Sequence, residues 1–143
     1  MNPEEFFKTA EKLKDSDKEP DLRTSVGRSY YAIFLHFREY LKKLGLSKTR
    51  NPKNSVHSFV KDCLGFSQVS EASRLAVALN DLYGKREKAD YHLSITINPT
   101  EASDVLEDAK EAIQTFHSSM TSGKEQILLA NAKQYAKSKE WIL

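Results

Sequence analysis

At 143 residues the chain has room for one domain with a substantial core, and 39% hydrophobic with 29% charged residues is a globular balance that excludes a disordered chain. A formal net charge of +2 does not by itself imply a polyanionic partner, so any basic surface has to come from local clustering. The lone cysteine excludes an intrachain disulfide or a cysteine-rich zinc site, and no apolar run approaches the roughly 18 residues of a membrane span.

The acidic start Met1-Asn2-Pro3-Glu4-Glu5 lacks a signal-peptide pattern, so a cytoplasmic protein is expected. In the same stretch Asn2 is a helix cap, with Pro3 as first helical residue and Glu5 in the capping-box position. The helix it opens carries Phe6, Phe7, Ala10 and Leu13 and stops in the polar stretch from Asp15 to Pro20. Next, Leu22, Val26, Tyr30, Ile33, Phe37, Leu41 and Leu44 recur at spacings of three and four, which predicts a long amphipathic helix ending near Gly45. Gly27 inside it costs about 1 kcal/mol relative to alanine, and close approach of another helix is one reason to keep it.

After a loop containing Pro52, a short helix through Val56, Phe59, Val60 and Cys63 stops at Gly65. Ala72, Leu75, Leu79, Leu82, Arg86 and Ala89 form a second three-four seam. Leu93–Ile97 alternates like a strand over too few residues to make a sheet alone. Asn98-Pro99-Thr100-Glu101 repeats the start signal and opens a helix bearing Ala102, Val105, Leu106, Ala109, Ile113, Phe116 and Met120. Gly123 separates a final helix with Ile127, Leu128, Tyr135, Trp141 and Ile142, the tryptophan end packing on the bundle or on a second subunit. The expected architecture is all-α, an up-and-down bundle of five or six helices in a single domain over residues 1–143, with a core over about 1–120 and an extra helix over about 124–143.

Arg86 breaks the pattern, because it holds a seam position where leucine is expected and a guanidinium on an apolar face needs a partner. Two readings are open. Either Arg86 snorkels outward near its helix end and pairs with Asp90 four residues on, which pattern alone favours, or the seam opens into a groove or interface where Arg86 faces an anion. His92 lies six residues further, about 240° around a continuous helix, so the two side chains converge only if the helix ends between them or a second subunit supplies one of them. Basic residues cluster at Arg38, Lys42, Lys43, Lys48, Arg50 and Lys53, either as a phosphate-binding patch or as a solvated helix end; Lys85 and Lys88 flank Arg86. His36, His57 and His117 have no ligand-like partner at helical spacing, so no metal is expected. Cys63 falls on the apolar face of its helix, as a small core residue does.

Arg28-Ser29-Tyr30-Tyr31-Ala32-Ile33-Phe34-Leu35-His36 resembles the tyrosine-rich second helix of the HEPN superfamily, and Arg86-Glu87-Lys88-Ala89-Asp90-Tyr91-His92 resembles its arginine–histidine signature, in that order and over roughly residues 1–120. The resemblance implies a small helical domain that often dimerises. Many members are metal-independent RNA endonucleases of toxin–antitoxin or defence systems; others are partners of small nucleotidyltransferases or bind nucleotide or RNA without catalysis. Carried over by position, Arg86 holds the scissile phosphate and His92 moves protons, with Asp90 and Tyr91 in support. The RNA 2′-hydroxyl is the nucleophile, so no cofactor is required. The expectation is a homodimeric RNA endonuclease contacting RNA through Lys42, Lys43, Lys48, Arg50, Lys53, Lys85 and Lys88, with a non-catalytic HEPN module binding nucleotide or RNA, or partnering a nucleotidyltransferase, as the alternative.

Overall fold

A computed structural model describes residues 1–50 and 55–142, so the expectation placed on Lys53 lies outside the described residues. The fold is all-α: six helices run α1 (Glu5–Leu13), α2 (Glu19–Lys43), α3 (Val56–Gly65), α4 (Ser70–Tyr91), α5 (Pro99–Ser119) and α6 (Ser122–Ser138), with no strand among the described residues. This is the expected all-α bundle of five to six helices.

Local chemistry explains most helix ends. Asn98 Oδ1 accepts the Glu101 N–H at 2.9 Å, so α5 starts at Pro99 as the sequence signal requires. The same signal at Asn2 works differently. Asn2 Oδ1 accepts from Glu4 N–H and its carbonyl accepts from Glu5 N–H, both at 3.0 Å, which closes a turn and delays α1 to Glu5. At the far end of α2, Gly45 takes φ +91° and Leu46 N–H returns to the Leu41 carbonyl at 2.8 Å, a Schellman-type stop. Gly123 does not separate the last helix from α5. Thr121 caps α6 through Lys124 N–H at 3.2 Å, and Gly123 sits in the first turn. α6 also ends earlier than the apolar spacing suggests: Glu140 adopts φ +58°, and Trp141 lies beyond the helix.

Packing divides the chain into two compact units, Met1–His36 with Leu79–Gln114, and Phe37–Ala78 with Thr115–Leu143. In the first unit, Phe7 and Ala10 of α1, Leu22, Val26, Tyr30 and Ile33 of α2, Leu82 and Ala89 of α4, and Ala102, Val105, Leu106 and Ala109 of α5 are buried. Ser25 Oγ donates to the Ala10 carbonyl at 2.9 Å, tying α1 to α2. A Cβ on Gly27 would meet Asp90 Oδ1 at 3.9 Å, an ordinary contact, so steric packing does not demand this glycine.

In the second unit, Phe59, Val60, Cys63 and Leu64 of α3 and Leu128, Ala132 and Ala136 of α6 are buried. Cys63 is a core residue, and burial pushes its thiol up to about 12. Trp141 is buried within this unit, 5.7 Å from the Phe59 ring and 5.9 Å from Tyr135, and its carbonyl accepts the N–H groups of Thr49 and Arg50. Lys124 Nζ donates to Glu71, and this bond more than any other holds the Glu71 carboxyl down at about 2. A folded value below the ordinary 4.5 means the pair stabilises the native state above that pH and ceases to do so as pH falls toward 2. Denaturant midpoints followed over that window should therefore drop more steeply for the wild-type chain than for Lys124→Met; parallel curves would show that the pair contributes nothing.

Candidate functional site: a tyrosine-ringed arginine at the end of α4

Arg86 lies one turn before the end of α4, with its side chain 17% exposed. Three rings surround the guanidinium: Tyr31 of α2 at 5.4 Å, Tyr83 at 6.0 Å and Tyr91 at 5.8 Å from ring centroid to Cζ. The negative faces of aromatic rings attract a cation, and Arg stacks on them better than Lys does because its guanidinium is planar. Tyr83 also meets Tyr30 edge-on at 5.6 Å, which anchors the ring of the site on a fully packed core residue. Burial drives the Tyr30 hydroxyl well above the ordinary tyrosine range, so it does not ionise near neutral pH.

Asp90 Oδ2 sits 2.9 Å from Arg86 Nε. The pair is the i,i+4 partnership that the helix spacing suggests. Its geometry is that of charges in contact without a directed hydrogen bond, because the solvent-sealed Nε–H is aimed at no acceptor among the described residues. The distance defines the attraction and the angle limits its strength. Among the described residues, no acceptor binds the Nη groups of Arg86. The arginine is thus held in place by rings and one carboxylate, with most of its donors available.

Helix α4 ends immediately beyond Arg86 and Asp90, and the device that ends it is Arg23 of α2. Its guanidinium donates to the carbonyls of Lys88 (3.2 Å), Ala89 (2.9 Å) and His92 (3.2 Å), and also to that of Ile95. Glu19 Oε1 lies 3.4 Å from Arg23 Nη2 and accepts the Ile97 N–H at 2.7 Å. The last carbonyls of a helix carry its negative dipole end, so one guanidinium on those of Lys88 and Ala89 offsets their partial charge, and its bonds to the His92 and Ile95 carbonyls tie down the chain that follows. Leu93–Ile97, the strand-like stretch, becomes an irregular segment pinned by Arg23 and Glu19.

His92 follows the end of α4 and is exposed; its N–H still bonds the Lys88 carbonyl at 3.0 Å, continuing the helical turn. That continuation keeps Arg86 and His92 on different faces, and no contact joins their side chains among the described residues. Tyr91 is 67% exposed and Leu93 81%, so the helix end presents aromatic and apolar surface beside the cation. Lys85 and Lys88 are exposed, Lys85 lying 3.6 Å from Asp108 of α5. Lys42, Lys43, Lys48 and Arg50 belong to the other unit, with Lys42, Lys43 and Arg50 exposed and Lys48 half-buried. Among the described residues no group of three or more His, Cys, Asp or Glu side chains is arranged to hold a metal ion, and no helix is long and apolar enough to cross a membrane.

The sequence pattern missed Arg23, Glu19 and Tyr83. Arg23 binds carbonyls 65 to 72 residues away, and backbone acceptors leave no mark in a side-chain pattern.

No family model matches the chain, and no solved structure does. An uncharacterized protein of the archaeon Methanocaldococcus jannaschii is 29% identical to it over 160 aligned positions, covering 98% of this chain and 90% of that protein.

Proposed function

We propose that this chain is a HEPN-like cytoplasmic domain that binds RNA or a nucleotide, with Arg86 as the residue that takes the phosphate. The observation that carries this reading is the ring of Tyr31, Tyr83 and Tyr91 around Arg86, whose Nη donors meet no acceptor among the described residues. A guanidinium preorganised on aromatic faces meets phosphate oxygens with little further loss of side-chain freedom. Exposed Tyr91 adds a face on which a base stacks, an interaction worth about 1–3 kcal/mol per base. Lys85 and Lys88 add positive potential along the same helix, and Lys42, Lys43, Lys48 and Arg50 form a second basic surface for the phosphate backbone. A minimal nucleotidyltransferase fits the same reading as a protein partner.

A second reading, metal-independent RNA cleavage of the toxin or defence type, draws support from exposed His92, whose backbone Arg23 holds. In that reaction the RNA 2′-oxygen attacks phosphorus as the bond to the 5′-oxygen breaks, leaving a 2′,3′-cyclic phosphate and a 5′-hydroxyl. His92 exchanges the proton with one of these oxygens. Because one chain keeps Arg86 and His92 on different faces, the cleaving form is a homodimer in which each copy supplies one of them.

One experiment addresses both readings. The pure protein is mixed with labelled single-stranded RNA in EDTA over a range of salt, and anisotropy and product length are followed together. Binding that weakens steeply with salt, with intact RNA, is the result expected for a binding module. Shortened RNA with cyclic-phosphate ends would move the conclusion to the nuclease, and absence of binding at low salt would remove both.

A further inference from the structure

Arg28 of α2 lies next to this site. Its guanidinium stacks 5.3 Å from the Phe6 ring and 5.7 Å from the Tyr31 ring. Tyr31 therefore sits within 6 Å of two guanidinium centres, Arg28 and Arg86. The two cations differ in one respect. Arg86 has Asp90 against its Nε, whereas among the described residues no carboxylate pairs with Arg28 and no acceptor takes its N–H groups. A half-buried cation held by two rings, with none of its N–H groups taken by a protein acceptor among the described residues, keeps those donors for an anion.

We infer that Arg28 and Arg86 form a two-guanidinium clamp about Tyr31 whose ligand is a terminal phosphate monoester, the 5′-phosphate of an RNA or of a free nucleotide. The inference rests on the reading of Arg86 as a phosphate-binding residue and adds to it the kind of phosphate preferred. A monoester carries close to two negative charges at neutral pH and three strong acceptor oxygens, so it matches the charge of two guanidinium groups. An internal phosphodiester has one charge on two free oxygens and a sugar on either side, so it satisfies one guanidinium and leaves the other unmatched. Arg28 is therefore the specificity-determining residue, and Arg86 the one that any phosphate meets.

The test uses the full chain and three probes: a short single-stranded RNA with a 5′-phosphate, the same RNA with a 5′-hydroxyl, and 5′-AMP as competitor. Wild-type protein should bind the phosphorylated RNA at least about tenfold more tightly, the scale of one charge-assisted hydrogen bond. Arg28→Gln should bring the two affinities together, and Arg28→Lys, which keeps the charge but not the fork, should restore part of the difference. Circular dichroism of each variant separates loss of the clamp from loss of the fold, and Arg28→Lys carries the comparison if Arg28→Gln does not fold. Competition by 5′-AMP as strong as that of phosphorylated RNA identifies a free nucleotide as ligand; weak competition with the ratio intact identifies an RNA end. Equal wild-type affinity for the two RNAs overturns the clamp and leaves the Arg86 reading standing, as does a preference that survives Arg28→Gln. Binding of none of the probes overturns the clamp and that reading together.

Discussion

Arg86→Ala should lower affinity for RNA or nucleotide by about ten- to a hundredfold while the chain stays folded. Charge-assisted hydrogen bonds contribute about 1.5–3 kcal/mol each, and every 1.4 kcal/mol is a factor of ten in affinity. Stability should change little, because Asp90, the carboxylate left behind, has a side chain 36% exposed and regains water. Arg86→Lys should recover only a small part of the binding, since an ammonium neither stacks on Tyr31 and Tyr83 nor presents a planar fork. Anisotropy measured on folded variants checks all three statements, and wild-type affinity in Arg86→Ala would take Arg86 out of any site. If the wild type cleaves RNA, Arg86→Ala and His92→Ala should each slow the reaction at least ~100-fold, the usual scale for losing a positioned charge or acid–base group. Cleavage that survives His92→Ala but not Arg86→Ala would make the histidine incidental.

The second large effect belongs to Arg23, and it is structural. Arg23→Ala removes the shared donor of four carbonyls, two in the last turn of α4 and two beyond it, and leaves Glu19 without its cation. Bonds to a charged group are the stronger ones, but those sharing one guanidinium are not additive, so the expected loss is about 2–3 kcal/mol. The damage should be local as well as global. Amide hydrogen exchange should accelerate at Ile95 and Ile97, whose N–H groups bond to the His92 carbonyl and Glu19. Denaturation and exchange together test this: a change below about 0.5 kcal/mol with unaltered exchange would mean water replaces Arg23 without cost.

The helices were legible because burial on a helix repeats every three to four residues. Tyr30, Ile33, Phe37 and Leu41, picked out by spacing, are all buried. Arg86 stood out for the same reason, as a charge in an apolar row, and its pairing with Asp90 followed from helical geometry. The rest of the site depends on chain segments far apart in sequence. By spacing alone Tyr31 and Arg28 are ordinary members of an amphipathic helix; α4 brings Arg86 onto Tyr31, and Phe6 meets Arg28. Gly123 misled because a glycine reads as a helix stop, whereas the cap two residues earlier had already set the start of α6. The Asn-Pro signal succeeded at residue 98 and slipped by two residues at Asn2, whose Oδ1 and carbonyl close a turn ahead of α1 instead of capping it.

Asp90 also has a kinetic meaning. On the proposed reading, a phosphate taken by the Nη groups of Arg86 shares the guanidinium with the carboxylate that rests against its Nε. Part of the attraction felt by the incoming ligand is cancelled by that carboxylate, 2.9 Å from the guanidinium at rest. Such a site shortens residence time more than it slows encounter, because the long-range field of Lys85, Lys88 and Arg28 still draws anions in. On that reading the domain would sample many phosphates briefly and retain those bound strongly enough to offset its own carboxylate.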